Sequence, residues 1–418
     1  MTGQPLPAWR RYIQRMLPLL VVVPPMLLWM WNPWSAILLP VAIAVYAYVL
    51  YPLLISGMAR LSRQPASPAS APASWPSVSV SLPVYNEGRI IRSTLEALLG
   101  VDYPRELLEI VVISDCSSDD TDAIVSEYAD RRVRLVRQPS RQGKTAAECA
   151  GAAAVGGEIV INTDASTRFP RDAFKRLVCV FQDETIGLAS GRDVTVADEG
   201  GATAGEGGYT NFEMRLRADE TRVDSIVGAS GCFFAVRRAL HHRVSPSEIS
   251  RDFSSAVYTK LQGYRSVSVS DAVCYVRLAA SLRVEFRRKM RTMARGLDTL
   301  WYKRAALLPW RTSWLFSWML LSHKLLRWCV FLFAPFSLIG LIVLSAESRI
   351  AALLLIGSAL VGLVGWIAYR WPEERPMPRT ISLPGFAALT FLAGARAWWE
   401  ALTAQRNPIW EPTPRRLS

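Results

Sequence analysis

The hydrophobic and polar positions divide the chain into stretches of different rhythm. From Met16 to Ala59 no residue is charged. One bilayer crossing takes about 20 apolar residues, so this run is too long for a single span. Asn32-Pro33 stands near its middle, which predicts a helical hairpin over roughly 16–31 and 34–57. Trp328 to Ala346 and Ile350 to Tyr369 are uncharged again, each of a length to cross once. Ser62 to Trp75 is rich in Pro, Ala and Ser, cannot bury a core, and reads as a linker. Beyond it the chain alternates short β-branched runs with amphipathic ones. Strands are expected over Val78–Val84, Glu109–Ser114, Val133–Val136, Glu158–Asn162 and Ile186–Ser190. Helices are expected around Ile90–Leu99, Asp119–Tyr128, Thr145–Val155 and Pro170–Phe181. Such alternation implies right-handed crossovers and a mostly parallel sheet. Thr380 to Ala395 is apolar but is followed by basic residues, and a shallow or re-entrant helix is expected there.

Charge orients this arrangement. Arg10, Arg11 and Arg15 precede the first span, Arg60 and Arg63 follow the second, and the turn at 32–35 has none. The positive-inside rule then places both ends of the hairpin, and the domain after it, in the cytoplasm. The net charge is +13. Basic residues flanking spans and the dense stretch Arg283–Arg304 account for most of it, and suit anionic lipid headgroups or a nucleotide diphosphate. No recognition helix or aromatic platform accompanies the charge, so nucleic acid is not the expected partner. Arg283–Leu320 also carries Trp301, Trp310, Trp314 and Trp318, as helices lying in the membrane interface do.

The six cysteines show no CxxC or zinc spacing, and there are only three histidines, His241, His242 and His323. A general base is therefore expected to be a carboxylate. Open α/β sheets bind ligands beyond the carboxyl ends of their strands. Tyr85, Asn86 and Glu87 follow the first strand, Asp115 the second and Asp164 the fourth, so these should gather at one edge. There is no glycine-rich dinucleotide or P-loop sequence. Carboxylates on neighbouring strand ends suit a nucleotide diphosphate with a hard divalent cation, Mg²⁺ or Mn²⁺. Asp252, ahead of a helical stretch, is the candidate base.

Residues 78 to about 300 resemble the family 2 glycosyltransferases, the inverting group with a GT-A fold, and within it the membrane-bound cellulose, hyaluronan and poly-N-acetylglucosamine synthase-like enzymes. Leu82-Pro-Val-Tyr-Asn-Glu87 is similar to the nucleotide-contacting first strand end, implying donor contacts at Pro83, Tyr85 and Glu87. Ser114-Asp115-Cys-Ser-Ser-Asp-Asp-Thr121 resembles the segment whose first Asp meets the nucleoside, and Gln142-Gly-Lys144 the family's GK segment. Asn162-Thr-Asp164-Ala-Ser166 falls where the DxD metal motif falls. Gly228-Ala229-Ser230-Gly231 is similar to the acceptor-lining loop, and Asp252 takes the last position of the TED motif, implying the base.

Three departures stand out. Ser166 replaces the second DxD carboxylate, which weakens the metal requirement. Arg251 stands beside Asp252, where it favours the ionised carboxylate if the side chains meet, whereas alternation along an extended segment points them apart. Where QxxRW falls the chain reads Arg288-Lys-Met-Arg291-Thr292: the arginines suit a diphosphate clamp, but the tryptophan is missing. Trp301 is one substitute. Lys324-Leu-Leu-Arg327-Trp328 keeps an RW pair, though at a membrane boundary, where such residues are ordinary interfacial anchors.

The expected organisation is a transmembrane hairpin (1–61), a linker (62–75), a cytoplasmic α/β GT-A domain (76–282), basic interfacial helices (283–320), a C-terminal transmembrane region (321–398) and a cytoplasmic tail (399–418) of a bacterial-type inner-membrane protein. The expected activity is transfer from a nucleotide-sugar, a UDP-sugar first, to a glycan or lipid-linked acceptor, with export proteins as further partners. The altered motifs also fit a non-catalytic nucleotide sensor or scaffold of an export complex.

Overall fold

A computed structural model describes residues 32–62, 72–196, 204–241, 246, 248–277, 281–372 and 377–403. The first half of the expected hairpin, most of the linker and most of the tail lie outside these residues.

The strands are β1 (Val78–Val84), β2 (Leu108–Ser114), β3 (Val133–Arg137), β4 (Ile159–Thr163), β5 (Ile186–Val196), β6 (Phe233–Arg237) and β7 (Arg265–Arg277). They form one sheet in the order β3-β2-β1-β4-β6-β5-β7, parallel except that β6 runs antiparallel to both β4 and β5. The expected mostly parallel sheet is thus observed. β6, inserted between β4 and β5, and β7, at the edge beside β5, are strands the alternation pattern did not single out.

Period-2 alternation explains how the sheet is covered. Val78, Val80, Leu82 and Val84 face one side with Ile110 and Val112, under the helices Gly88–Leu99 (α1) and Ala173–Cys179 (α2). Val111, Ile113 and Val160 face the other side, against Ala147 of the helix Lys144–Gly151 (α3) and Ala256 of the helix Arg251–Leu261 (α4). Strands buried on both faces read as near-continuous apolar runs, as β2 does. Pro83 lies past the last β1–β4 pair, Ser81↔Asn162, so its missing N–H leaves no gap in that ladder.

Among the described residues three helical stretches are long and apolar enough to cross a membrane: Ile37–Leu61, Trp314–Leu344 and Arg349–Arg370. The first two each contain a π-helical turn, at Tyr46–Leu50 and Leu321–Leu326. The second stretch begins at Trp314, inside the segment expected to lie in the interface. Arg379–Thr403 is one unbroken helix, packed along Leu282–Tyr302 and Arg349–Arg370.

A second apolar cluster joins the α/β domain to the helices long and apolar enough to cross a membrane. Tyr51 and Ile55 of the first span, Phe253 and Val257 of α4, Leu300, Phe316 and Met319 are all buried together. The helices that flank the domain in sequence are therefore packed onto it.

Candidate active site

The site starts at the strand ends. Asp115 follows β2 and its N–H bonds the Val84 carbonyl at 2.9 Å, so the first two strand ends are tied together. Its carboxylate is 1% exposed and accepts two backbone N–H bonds, from Gln142 at Oδ1 and Gly143 at Oδ2, both 2.8 Å. Gly143 has φ +92°, a backbone region closed to most side chains, and this turns the chain so that α3 begins at Lys144. The carboxylate of Asp115 thus sets the position of the loop that delivers Lys144. Asn86 and Cys116, with φ 52° and 62°, make the turns beyond β1 and β2. Asp119 accepts from Gly88 N (2.9 Å) and from Thr121 N and Oγ1, pinning the first helix start to the second strand end. Burial opposes its charge, but these bonds outweigh it and hold the carboxyl below its ordinary pKa. Glu87 N donates to Thr121 Oγ1 at 2.9 Å. The Arg141 guanidinium stacks 3.9 Å over the Tyr85 ring, a flat cationic platform beside the Asp115 loop.

From Lys144 the contacts run onward to Asp164 and to the loop that Asp252 lies against. Its ammonium contacts Asp164 Oδ1 and lies 3.3 Å from the Gly231 carbonyl. Burial works against the charge, but Asp164 and Glu148 hold the Lys144 pKa above the ordinary lysine range. A Cβ on Gly231 would lie 3.3 Å from Asp252 Oδ2, so the Asp252 carboxylate rests directly on the loop 228–231. Asp252 also receives a bond from Ser250 Oγ. Arg251 points the other way, bonding the His241 carbonyl at 2.9 Å and lying 3.1 Å from Cys149 Sγ. Within the loop, Ser230 N donates to Ser190 Oγ (2.8 Å) and Ser230 Oγ to Asp193 Oδ1 (2.5 Å). Burial raises the Asp193 pKa, with Ser230 and Arg217 opposing. Gly228 and Ala229 complete this turn, and Ala229 is buried against the sheet.

The long basic helix Leu282–Tyr302 (α5) closes one side of the site. Arg288 forks onto Glu285 at 2.7 and 2.9 Å, within the helix. Arg291 lies one turn further, partly buried. It is Arg295 that reaches the site's own helix, bonding Thr145 Oγ1 and the Ile249 carbonyl (2.8 Å), within electrostatic reach of Glu148 and Asp252. Trp301 has Arg304 over its ring and stays at the helix end. Trp328 instead meets Phe253, the neighbour of Asp252, edge-on at 6.0 Å, and presses on Gly296, where a Cβ would come within 2.7 Å of its ring. Lys324 and Arg327 are not interfacial anchors. Arg327 is 3% exposed, and both contact Glu213 of the helix Ala204–Val223 (α6).

Sequence reasoning missed Glu148, Asp193, Arg141 and Arg295. Glu148 stands one helical turn after Lys144, so i,i+4 spacing was the available signal. Arg295 lies one turn past Arg291 on the same face.

The donor set for a cation is small. Among the described residues no cluster of three His, Cys, Asp or Glu side chains is assembled that could hold a metal. Asp164 Oδ1 is taken by Lys144, and Oδ2 has Cys232 Sγ at 3.9 Å. Ser166 adds no carboxylate. These residues fit a divalent ion held by the single Asp164 carboxylate, with phosphate and water oxygens supplying the rest, as Mg²⁺ commonly accepts.

Comparison with known proteins points the same way. The family model for "Glycosyl transferase family 2" matches residues 79–245. An N-acetylglucosaminyltransferase of Bradyrhizobium elkanii is 30% identical over 161 residues, 36% of this chain and 88% of that protein. One from Rhizobium sp. (strain N33) is 33% identical over 163 residues, 36% of this chain and 35% of that protein. The chain spans about a third to a half of the length of the first curated relatives it matches: 35%, 29% and 55%. A mannosyltransferase from Pyrobaculum calidifontis, solved with GDP-Man and Mn²⁺, superposes with a TM-score of 0.69 at 24% identity, covering 89% of this chain and 100% of that one. At that identity the likeness establishes the fold.

Proposed function

Because the chain belongs to glycosyl transferase family 2 and is a glycosyltransferase, we propose that it transfers a sugar from a UDP-sugar, with inversion, to a glycan or lipid-linked acceptor at the cytoplasmic face of a bacterial-type inner membrane. The observation that supports this reading most is the unbroken run Asp115–Gly143–Lys144–Asp164–Gly231–Asp252 across the strand ends. N-acetylglucosamine is the first sugar to test, since several relatives carry the name N-acetylglucosaminyltransferase.

In this reading the nucleoside lies over Tyr85 and Arg141, next to Pro83, Glu87 and the Asp115 loop. The diphosphate lies at Lys144, with Arg288, Arg291 and Arg295 on α5 supplying further positive charge, as guanidiniums suit phosphate oxygens. Mg²⁺ or Mn²⁺ at Asp164, when bound, neutralises charge on the departing diphosphate. The acceptor hydroxyl sits on Gly228–Gly231. Asp252 takes its proton as the oxygen bonds to the anomeric carbon, the bond from that carbon to the phosphate oxygen breaks, and UDP leaves. Arg251, turned toward His241, does not neutralise Asp252 by direct contact.

Asp252→Asn removes the base and keeps the size. Transfer is expected to fall by about 10²–10⁴ while UDP affinity, read by calorimetry, stays within about twofold. Wild-type transfer in this variant would refute the assignment. A donor screen with UDP- and GDP-sugars, followed by NMR of the product anomer, tests donor and inversion together. Chromatography of labelled product separates chain growth from single addition. The family match and the transferase names of the relatives favour catalysis over a non-catalytic sensor or scaffold.

A further inference from the structure

The loop 228–231 meets a second, cationic cluster on the side facing the membrane helices. Glu213 of α6 gathers Arg327 Nη1 (3.0 Å), Lys324 Nζ (3.4 Å), Arg217 Nε (3.5 Å) and His323 Nε2 (2.9 Å). Glu220, about two turns along, meets Tyr51 Oη and His323 Nδ1 through one oxygen, each at 2.6 Å; its other oxygen has no hydrogen-bond partner. Two guanidiniums and an ammonium carry about thirteen N–H donors against the few lone pairs of these carboxylates. The excess is visible. Arg217 Nη1 and Arg327 Nη2 are buried without a hydrogen-bond partner, in side chains 8% and 3% exposed as residues. An unpaired buried donor on a charged group is expensive, and ionisable residues in an apolar span mark functional sites by default.

The cluster also touches the acceptor loop from two sides. A Cβ on Gly228 would lie 3.3 Å from Lys324 Cε. Arg217 is within electrostatic reach of both Lys324 and Asp193, the carboxylate that holds Ser230. Lys324 and Arg327 stand in Trp314–Leu344, a helix able to cross a membrane. A ligand reaching these donors beside the loop therefore carries an anionic head, and the apolar helix that holds Lys324 and Arg327 suits an apolar tail.

We propose that Arg217, Lys324 and Arg327 bind the phosphate of a lipid, seating a lipid-linked acceptor on the loop 228–231. This rests on that loop being the acceptor loop. Planar guanidiniums take phosphate oxygens in pairs, and the two unpartnered nitrogens supply donors that Glu213 leaves unused.

The test is direct binding to the full chain in a non-ionic, phosphate-free detergent, with geranyl phosphate, geraniol and dihexanoyl phosphatidylglycerol as probes. Geranyl phosphate is expected to bind at least about tenfold tighter than geraniol. Arg217→Gln and Lys324→Gln should each lose about tenfold of that affinity, and Lys324→Arg should keep most of it. Displacement of geranyl phosphate by the phosphatidylglycerol assigns the site to a phospholipid headgroup and overturns the acceptor role; resistance to displacement supports that role. Equal binding of phosphate and alcohol, or wild-type affinity in both Gln variants, overturns the site altogether. UDP binding, measured on the same samples, separates the outcomes. Wild-type protein that binds geranyl phosphate but not UDP removes the donor reading and leaves this site standing. A Gln variant that loses both ligands is judged by Lys324→Arg, whose failure to bind while it still binds UDP also overturns the site.

Discussion

Glu148 is a carboxylate 3% exposed, within electrostatic reach of Lys144, Arg251, Asp164 and Asp252. Burial raises its pKa above the ordinary value of 4.5, and the two cations only partly oppose this. A carboxyl group whose pKa is higher folded than unfolded binds its proton more tightly in the native state. Its contribution to stability is complete below its unfolded pKa and is lost as pH rises through the folded one. Glu148→Gln keeps the shape without the charge. Its melting temperature is expected to rise relative to wild type as pH increases from about 4.5, with the two converging at lower pH. A gap of the opposite sign would mean that Lys144 and Arg251 outweigh the cost of burial. The same residue explains part of the setting of Lys144, whose ammonium is held charged between two carboxylates while it also reaches Gly231.

At the scale of elements, two glycines decide how the pieces meet. Gly143 combines φ +92° with ψ 167°, a conformation essentially reserved for glycine, and its N–H bonds Asp115. Gly143→Ala is expected to cost about 1–3 kcal/mol in denaturant unfolding and to weaken UDP binding, because Lys144 begins the helix that follows. Unchanged melting and unchanged UDP affinity would contradict the loop's role. Gly296 lets the basic helix α5 approach Trp328, whose ring also meets Phe253 of α4 edge-on. Gly296→Val forces that contact apart at about 1–3 kcal/mol. Combining it with Trp328→Leu should recover part of the loss, since directly touching residues couple. Simple addition of the two single effects would show that the ring is not the obstacle.

For the whole molecule, the candidate membrane-spanning helices and the glycosyltransferase domain share one buried seam. Tyr51, 169 positions before its hydrogen-bond partner Glu220, and Ile55 are fully buried with residues of α4, α6 and the helix after Ser313. A piece limited to residues 72–277 exposes Phe253, Val257 and Leu216 to water. Apolar patches of that kind drive association, so the piece is expected to elute as aggregates or with bound detergent on size-exclusion chromatography. A monodisperse, UDP-binding monomer in plain buffer would show that the seam is dispensable.

Much of this was legible in the order of residues. Period-2 and helical patterns placed the first four strands and their helices within a few positions and the start of the fifth, which runs on to Val196, because burial on a strand or helix face repeats at short range. The long uncharged runs within the described residues marked helices long and apolar enough to cross a bilayer, since a bilayer excludes charge whatever the fold. The motif order marked Asp115, Lys144, Asp164 and Asp252, because each follows directly from a strand end or begins a helix. What stayed hidden depends on contacts between distant segments. Asp115 could not be seen to hold the Gln142–Gly143 loop, nor Arg251 to turn toward His241. Lys324-Leu-Leu-Arg327-Trp328 reads as an interfacial anchor until the fold buries it against Glu213 and Phe253. Local sequence determines which face of an element is apolar and where a strand ends. Only the tertiary structure decides which charges are desolvated together, because that energy depends on partners brought close by packing and not by position in the chain.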